Sequence, residues 1–246
     1  MGRYLDNFDY LCDEIEGIFR VPNILRDAFI NLIKNDEVEL KKSVYAKDLK
    51  ENAVKIFENI SDSSISTSYK DAYRILYENG LILLISSSEM ILRDIYDELF
   101  ITNFDKIKMI QDMELKVSDL NFEDDKVTRD EIIELMKKKK YEDKNPSTRL
   151  YFENILAIQN QFRQLGVAID LNKGTTDKLH LYYQIRHILI HQMGKIDKIF
   201  LDNLRPIKID VSEYRIDERI QVDEFKYNDC KKYLRELIGS LEQNRN

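Results

Sequence analysis

The sequence predicts a mainly helical protein. Glycine and proline, which interrupt helices, occur only 7 and 3 times in 246 residues, whereas Leu, Ile, Lys and Glu are abundant. Apolar residues recur every three to four positions over most of the chain, as one face of a helix requires. Polar capping residues and glycines bracket several of these patterns. We therefore expect a helical bundle with, at most, a short β-hairpin.

Residues 1–68 are expected to form an N-terminal helical extension. Two amphipathic patterns, at residues 24–32 and 44–60, each carry an apolar face that needs a partner. The polar stretch "SDSSISTS" follows at residues 61–68, and its hydroxyl groups compete for backbone hydrogen bonds. We predict a linker there, so that residues 69–243 form the larger domain. Because the extension buries little surface alone, we expect it to pack on that domain.

A long helix is predicted from Tyr69 to Phe100, interrupted in pattern only by Gly80. One face should point to the core, and it consists of Leu84, Ser88, Ile91, Leu92, Ile95 and Leu99. The next helix should begin where Thr128 and Glu131 have the spacing of a capping box. The lysines at residues 137–140 should form its solvated end, which the helix dipole favours, and a contact with RNA is the alternative.

Four further elements are predicted in the C-terminal part. Ser147 is the expected cap of a helix that ends at Gly166, and the following helix should end at Gly194. Residues 207–222 contain "IKIDV" and "ERIQV", in which apolar and polar residues alternate, so a short β-hairpin is expected there. Asp223 should cap the last helix.

Composition and charge narrow the functional classes. A net charge of −7 argues against a protein that coats nucleic acid, but it allows an enzyme that acts on a single RNA phosphate. No apolar run approaches the about 18 residues of a membrane span, and the acidic start does not resemble a signal peptide. We expect a cytoplasmic protein without membrane contact. Cys12 and Cys230, distant in sequence, are expected to be buried, reduced thiols.

All three histidines fall in one predicted helix, within "KLHLYYQIRHILIHQMG". At about 100° per residue, His180, His187 and His191 lie within an arc of roughly 60°, together with Gln184. The apolar face comprises Leu181, Tyr182, Ile185, Ile188, Leu189 and Met193. Histidine exchanges protons near neutral pH, and the last turn of a helix favours a cation. Arg186 lies about 140° from His191, so the two do not share a face.

Other interpretations of the histidines compete with catalysis. A single histidine is more often a surface or core-edge residue than a catalyst. His187 and His191 form an i, i+4 pair with metal-binding spacing, but "HILIH" lacks the glutamate of the HExxH zinc-hydrolase motif. No nearby carboxylate or cysteine clearly completes such a site. We therefore expect neither a metal nor another cofactor.

The segment "RHILIH" resembles the R-x4-6-H motif of HEPN (higher eukaryotes and prokaryotes nucleotide-binding) domains, in which a polar residue commonly follows the arginine. His187 has that place here. The resemblance extends over about Tyr69 to Glu242 and is closest to HEPN groups of bacterial and archaeal defence, toxin and RNA-processing systems. In some groups an acidic or polar residue on an earlier helix supports the site. Glu89 has such a position, although a salt bridge with Arg93 explains it equally well.

The resemblance implies a homodimer in which the two motif helices face each other and form a composite cleft. Such a cleft would bring Arg186 and His191 together across a two-fold axis, although they do not share a face of one helix. Leu179, Tyr183 and Ile190 lie between Arg186 and the histidine strip around the helix. They are the expected dimer contacts.

The activity implied by the resemblance is metal-independent RNA cleavage by attack of the 2′-hydroxyl on the adjacent phosphate. His191 would move the proton, Arg186 would stabilise the negative charge, and His187 would position the phosphate or the arginine. The setting implied is defence or toxin–antitoxin biology, with an antitoxin or defence-system protein as partner. Several such toxins have a modified tyrosine where this chain has Met193, so tyrosine nucleotidylation is not expected.

Two non-enzymatic hypotheses stay open at the level of the sequence. In the first, the chain is a non-catalytic HEPN-like module that binds a nucleotide, RNA or a protein. In the second, it is a structural helical bundle whose histidine strip is accidental. The acidic net charge and the unassigned N-terminal helices favour the binding module over the nuclease to some degree.

Overall fold

The structure, a computed structural model, describes residues 2–17, 19, 63–103, 128–142, 152, 154–207 and 209–244. Helices dominate these residues, and no strand occurs among them, so the prediction of a mainly helical fold is confirmed. The helices are α1 (3–17), α2 (Ser63–Thr102), α3 (Arg129–Glu142), α4 (Ile155–Gln164), α5 (Lys173–His191), α6 (Lys198–Leu204) and α7 (Glu224–Gln243). Side chains of α2 are described from residue 74 onward.

The core lies where α2, α5 and α7 pack against one another, with α4 and α6 packed on α5. The predicted inward face of α2 is confirmed, because all six of its residues are buried. Ser88 is fully buried, and its hydroxyl donates to the Leu84 carbonyl at 2.7 Å. Its polar atom is therefore satisfied within the helix, and its small size leaves room for the neighbouring elements.

Helix α1 shares this core and is fastened to α7. Its buried face, at helical spacing, consists of Tyr4, Phe8, Cys12 and Ile15. Two ion pairs join the helices along their length, Asp9 with Arg235 at 2.9 Å and Glu16 with Lys231 at 2.6 Å. The amphipathic patterns predicted at residues 24–32 and 44–60 lie outside the described residues.

The predicted linker at residues 61–68 is wrong from Ser63 onward, because α2 begins there and runs through without a break. Extending an existing helix adds one hydrogen bond for each residue fixed, and a serine costs only about 0.5 kcal/mol relative to alanine. Competition from the hydroxyl groups is therefore too weak to stop the helix. Gly80 does not interrupt α2 either. The ring of Phe19 occupies the space that a Cβ at this position would need.

The expectation that no apolar run approaches the length of a membrane span is wrong for α2. The stretch Arg74–Thr102 is long and apolar enough to cross a membrane, judged by length and composition. Much of this stretch is the inward face that packs on α5 and α7. A helix that passes through the centre of a bundle is apolar for that reason and meets the same criteria.

Several helix starts follow local sequence rules. The capping box before α3 is confirmed: the Thr128 N–H donates to the Glu131 carboxylate at 2.6 Å, and the Glu131 N–H donates to the Thr128 hydroxyl at 3.3 Å. The first of these bonds is the main cause that lowers the pKa of Glu131. Asp223 caps α7 as predicted. The predicted cap Ser147 lies outside the described residues, and α4 starts behind a capping Asn154.

The lysines at the end of α3 are not simply solvated, as the sequence had suggested. Lys140 is only 4% exposed and donates to the Gln164 side chain of α4 at 3.2 Å. Lys137 pairs with Asp97 of α2 at 3.3 Å. The end of α3 is therefore docked against two other helices, and long lysine stems cover apolar surface there.

The predicted hairpin at residues 207–222 is wrong within the described residues. A turn closes there where the Tyr214 N–H donates to the Val211 carbonyl at 3.0 Å. Arg219 forms a single antiparallel bridge, but with Lys195 after α5 rather than with "IKIDV". Tyr214 packs edge-on against Phe200 of α6, with ring centroids 5.5 Å apart. The alternating apolar residues thus anchor turns to the core instead of forming a ladder.

Candidate functional site

Helix α5 carries the predicted site residues, and both of its ends follow from local chemistry. The side chain of Asn172 caps its start by accepting the Thr175 N–H at 2.9 Å. His191 is its last residue. Gly194 then adopts a left-handed conformation with φ of 78° and donates its N–H to the Ile188 carbonyl at 2.8 Å. The helix therefore stops just before Gly194, as predicted, although the left-handed backbone begins one residue earlier, at Met193 with φ of 51°.

The buried side of α5 is wider than predicted. Leu179 and Tyr183 are 0% and 2% exposed, so the prediction that they form dimer contacts is wrong. The cause is that α5 packs against both α2 and α7, which cover two sides of the helix. Met193 was predicted on the apolar face but is 81% exposed, whereas Ile190 is 44% exposed and stays available at the surface.

Arg186 is fixed to α2 by Glu89. The guanidinium Nη2 and the carboxylate Oε2 are 3.3 Å apart, and both side chains are 22% exposed. The two residues are 97 positions apart in the sequence. The structure thus brings Glu89 to Arg186, and it places Arg93 over the ring of Tyr141 at 5.1 Å. The arginine is held in one direction by a charge-assisted bond in a partly buried setting.

Tyr183 lies beside this ion pair in the interior. Burial raises the pKa of Tyr183 well above its ordinary value, the charge of Glu89 raises it further, and that of Arg186 opposes the shift. Its hydroxyl has no hydrogen-bond partner among the described residues. The phenol therefore stays neutral at physiological pH and is not a proton carrier for the site.

The histidine strip divides into two parts. His180 faces α6, where its Nε2 lies 2.9 Å from the carbonyl oxygen of Asn203. The Asn203 side chain in turn donates to Gln184 at 2.9 Å. His187 and His191 are both exposed, with ring centroids 4.7 Å apart and ring planes tilted by 47°. His187 and His191 are therefore the more exposed part, and His180 is the part bonded to α6.

Arg186 and His191 do not meet within one chain. Arg186 lies against α2, whereas His191 is exposed at the end of α5, about 140° further around the helix. In the described part of the chain, the structure forms two pairs, Arg186 with Glu89 and His187 with His191. Within one chain, the helix α5 therefore does not align Arg186 with His191 on one face.

The sequence did not indicate the group that fixes the segment after α5. Glu78 of α2 is 5% exposed and accepts from Arg219 at 2.6 Å, and Arg74 lies 3.4 Å from the same carboxylate. The backbone around Arg219 bonds the chain just after α5, because the Ile220 N–H donates to the Gly194 carbonyl at 2.8 Å. In the sequence, the one indication of this contact is that Glu78 is an acidic residue on the apolar side of a long predicted helix.

The cysteines and the potential metal ligands of the described residues do not form a second reactive site. Cys12 and Cys230 are unpaired and fully buried, as predicted. Burial raises the pKa of Cys12 to about 12 and also raises that of Cys230. Neither thiol is suited to act as a nucleophile near neutral pH. No group of three or more His, Cys, Asp or Glu side chains that could hold a metal ion occurs in this part of the chain.

No family model, curated protein or solved structure matches the chain. The resemblance to HEPN domains therefore rests on "RHILIH" and its helical surroundings.

Proposed function

We propose that the chain is a metal-independent endoribonuclease of the HEPN type, active as a homodimer. The observation that carries this proposal is the arrangement at the end of α5. Arg186 is held by Glu89 at 3.3 Å, while His187 and His191 stand exposed one turn apart on the same helix. Together they supply a fixed cation and two imidazoles, which can serve RNA cleavage through the 2′-hydroxyl as charge stabiliser and proton carriers.

In the proposed mechanism, the 2′-hydroxyl of the RNA attacks the adjacent phosphate. As the bond between phosphorus and the 2′-oxygen forms and the bond to the 5′-oxygen breaks, His191 accepts the 2′-hydroxyl proton and returns it to the departing 5′-oxygen. Arg186 stabilises the extra negative charge of the transition state by charge-assisted hydrogen bonds. His187 positions the phosphate or Arg186. The products carry a 2′,3′-cyclic phosphate and a 5′-hydroxyl, and the reaction uses no metal, nucleotide or thiol.

A two-fold dimer supports this chemistry because it lets Arg186 of one copy approach His191 of the other. The exposed apolar residues beside the histidines, Ile190 and Met193, are the proposed contact in place of Leu179 and Tyr183. We further propose that the protein acts in the cytoplasm, in a defence or toxin–antitoxin setting, with an antitoxin or defence-system protein that restrains it.

The proposal predicts cleavage of RNA in the presence of a chelator. Arg186→Ala and His191→Ala should each lower the cleavage rate at least about 100-fold, since each removes a group that acts in the transition state. His180→Ala is the matched control and should cleave at the unchanged rate, because the His180 ring bonds Asn203 of α6 and lies about two turns from His187. DNA of the same sequence should stay intact because it lacks the attacking hydroxyl.

The measurement is the rate of product formation from total RNA or a labelled RNA, resolved on a gel. Cleavage that needs a divalent metal, or that persists in both Arg186→Ala and His191→Ala, would contradict the mechanism.

A second function is favoured by a specific observation, the ion pair between Arg186 and Glu89. In a non-catalytic HEPN-like module, this pair ties α5 to α2, and the exposed histidines hold an anion of a nucleotide, RNA or protein partner. Intact RNA after prolonged incubation, together with a stable RNA or protein complex, would select this function over the nuclease.

A further inference from the structure

The geometry of the exposed histidine pair fits a ligand other than RNA. Because a Zn–N bond is about 2.0–2.1 Å long, two imidazoles bound to one ion at about 90–110° have ring centroids roughly 4.5–5.2 Å apart. The rings of His187 and His191 have centroids 4.7 Å apart. We infer that these two histidines form a surface site for one exchangeable transition-metal ion, with water completing its coordination.

The donor atoms decide the class of ion. Imidazole nitrogen suits Zn²⁺, Cu²⁺ and Ni²⁺, whereas Mg²⁺ and Ca²⁺ require oxygen ligands. The i, i+4 spacing of His187 and His191 is also the spacing by which HExxH holds zinc. The glutamate missing from "HILIH" is a general base in that motif and not a ligand. Its absence removes hydrolase chemistry at the metal but leaves both ligands in place.

Two protein ligands make the site exchangeable. Structural zinc sites use four protein ligands, and catalytic sites normally use three. In the described residues no carboxylate or thiol joins the pair to make a group of three. The ion is therefore a reversible ligand and not a resident cofactor.

The electrostatic surroundings favour a cation at this point. His191 is the last residue of α5, where the helix dipole places partial negative charge. The two basic residues within five positions of the histidine pair both form ion pairs, Arg186 with Glu89 and Lys195 with Asp217 at 2.9 Å. The whole chain carries a net charge of −7. No uncompensated positive charge among these neighbours opposes binding of a divalent ion.

The inferred site has a consequence that rests on the proposed function. An ion bound between His187 and His191 occupies the imidazole nitrogens that RNA cleavage needs for proton transfer. Zn²⁺ or Ni²⁺ should therefore inhibit cleavage rather than support it. Binding of the ion itself does not depend on whether the chain is a nuclease.

The test is isothermal titration of the tag-free chain with ZnCl₂ and with NiSO₄ in a buffer that does not chelate metals. One ion should bind per chain. His187→Ala and His191→Ala should each weaken the affinity at least about tenfold, because the second bond of a chelate forms intramolecularly. Both residues are exposed, so these variants should fold normally.

His180→Ala is the matched control. It removes the one other histidine of the chain, which lies on the same helix but contacts Asn203, and it should bind the ion as the wild type does. Absence of binding to the wild type, or equal affinity in all three variants, would overturn the site. The titration contains no RNA, so its result does not depend on nuclease activity. If the chain binds the ion here but cleaves no RNA in the separate cleavage assay, the metal site is supported and the proposed nuclease is rejected.

Discussion

Two adjacent tyrosines of α5 show how residues of one type differ in energetic role. Tyr182 is buried and donates its hydroxyl to Asp229 of α7 at 2.8 Å. Tyr183 is equally buried, but its hydroxyl has no partner among the described residues. A buried hydroxyl that keeps a partner stabilises the fold by a net amount of about 1 kcal/mol, whereas one without a partner pays a desolvation cost.

This difference gives a prediction for the two phenylalanine variants. Tyr182→Phe should lower the free energy of unfolding by about 1–2 kcal/mol, since it breaks a bond to a charged acceptor. Tyr183→Phe should leave it unchanged or raise it by up to about 1 kcal/mol. Urea unfolding followed by circular dichroism measures both. An equal loss in the two variants would show that the Tyr183 hydroxyl has a stabilising partner.

At the scale of elements, α2 holds α5 and the segment after it through two carboxylates. Glu78 and Glu89 are eleven residues apart, so they lie within about 20° of each other around α2. Glu89 holds Arg186 near the end of α5, and Glu78 holds Arg219, whose neighbour Ile220 bonds the chain at Gly194. The end of α5 that carries the histidines is therefore fixed on both sides by one helix.

The contact of Glu78 can be tested by Arg219→Ala. This variant should lower the free energy of unfolding by about 1–3 kcal/mol, because Glu78 keeps only part of its hydrogen bonding in a buried position. Arg215→Ala is a matched control in the same segment. Arg215 is 76% exposed and 3.8 Å from Glu218, so its loss should cost less than about 0.5 kcal/mol. Equal costs for the two variants in urea unfolding would contradict the proposed anchoring.

At the scale of the whole molecule, features set by local sequence could be predicted. The mainly helical fold, the inward face of α2 and the Thr128–Glu131 capping box all depend on residues within one or a few turns. The C-terminal end of α5 and the start of α7 could also be predicted, since Gly194 and Asp223 act through their own backbone or side chain. Such features need no knowledge of partners elsewhere in the chain. The start of α5 could not be predicted: the polar stretch "NKGTTD" was expected to be a loop, but the helix begins within it at Lys173.

Features set by tertiary contacts could not be predicted. Leu179 and Tyr183 are buried because α5 meets two helices at once, which a single helical projection does not reveal. Lys140 is buried because α3 docks on α4. The apolar alternation at residues 207–222 is real, but it anchors turns instead of pairing strands. The pairing of Glu89 with Arg186, 97 residues apart, was expected only through the resemblance.

The central claim is that one catalytic unit combines Arg186 of one chain with His191 of the other. It can be measured directly by mixing the Arg186→Ala and His191→Ala variants after subunit exchange and following RNA cleavage in chelator. Each variant alone should be inactive. Mixed dimers contain one intact unit out of two, so an equal mixture should recover about a quarter of the wild-type rate.

The control is a mixture of Arg186→Ala with the double variant Arg186→Ala/His191→Ala, which contains no Arg186 and should stay inactive. Recovery of activity in the first mixture only is the result that a shared site predicts. A first mixture that is no more active than its components, although mixed dimers are present, would contradict a shared site.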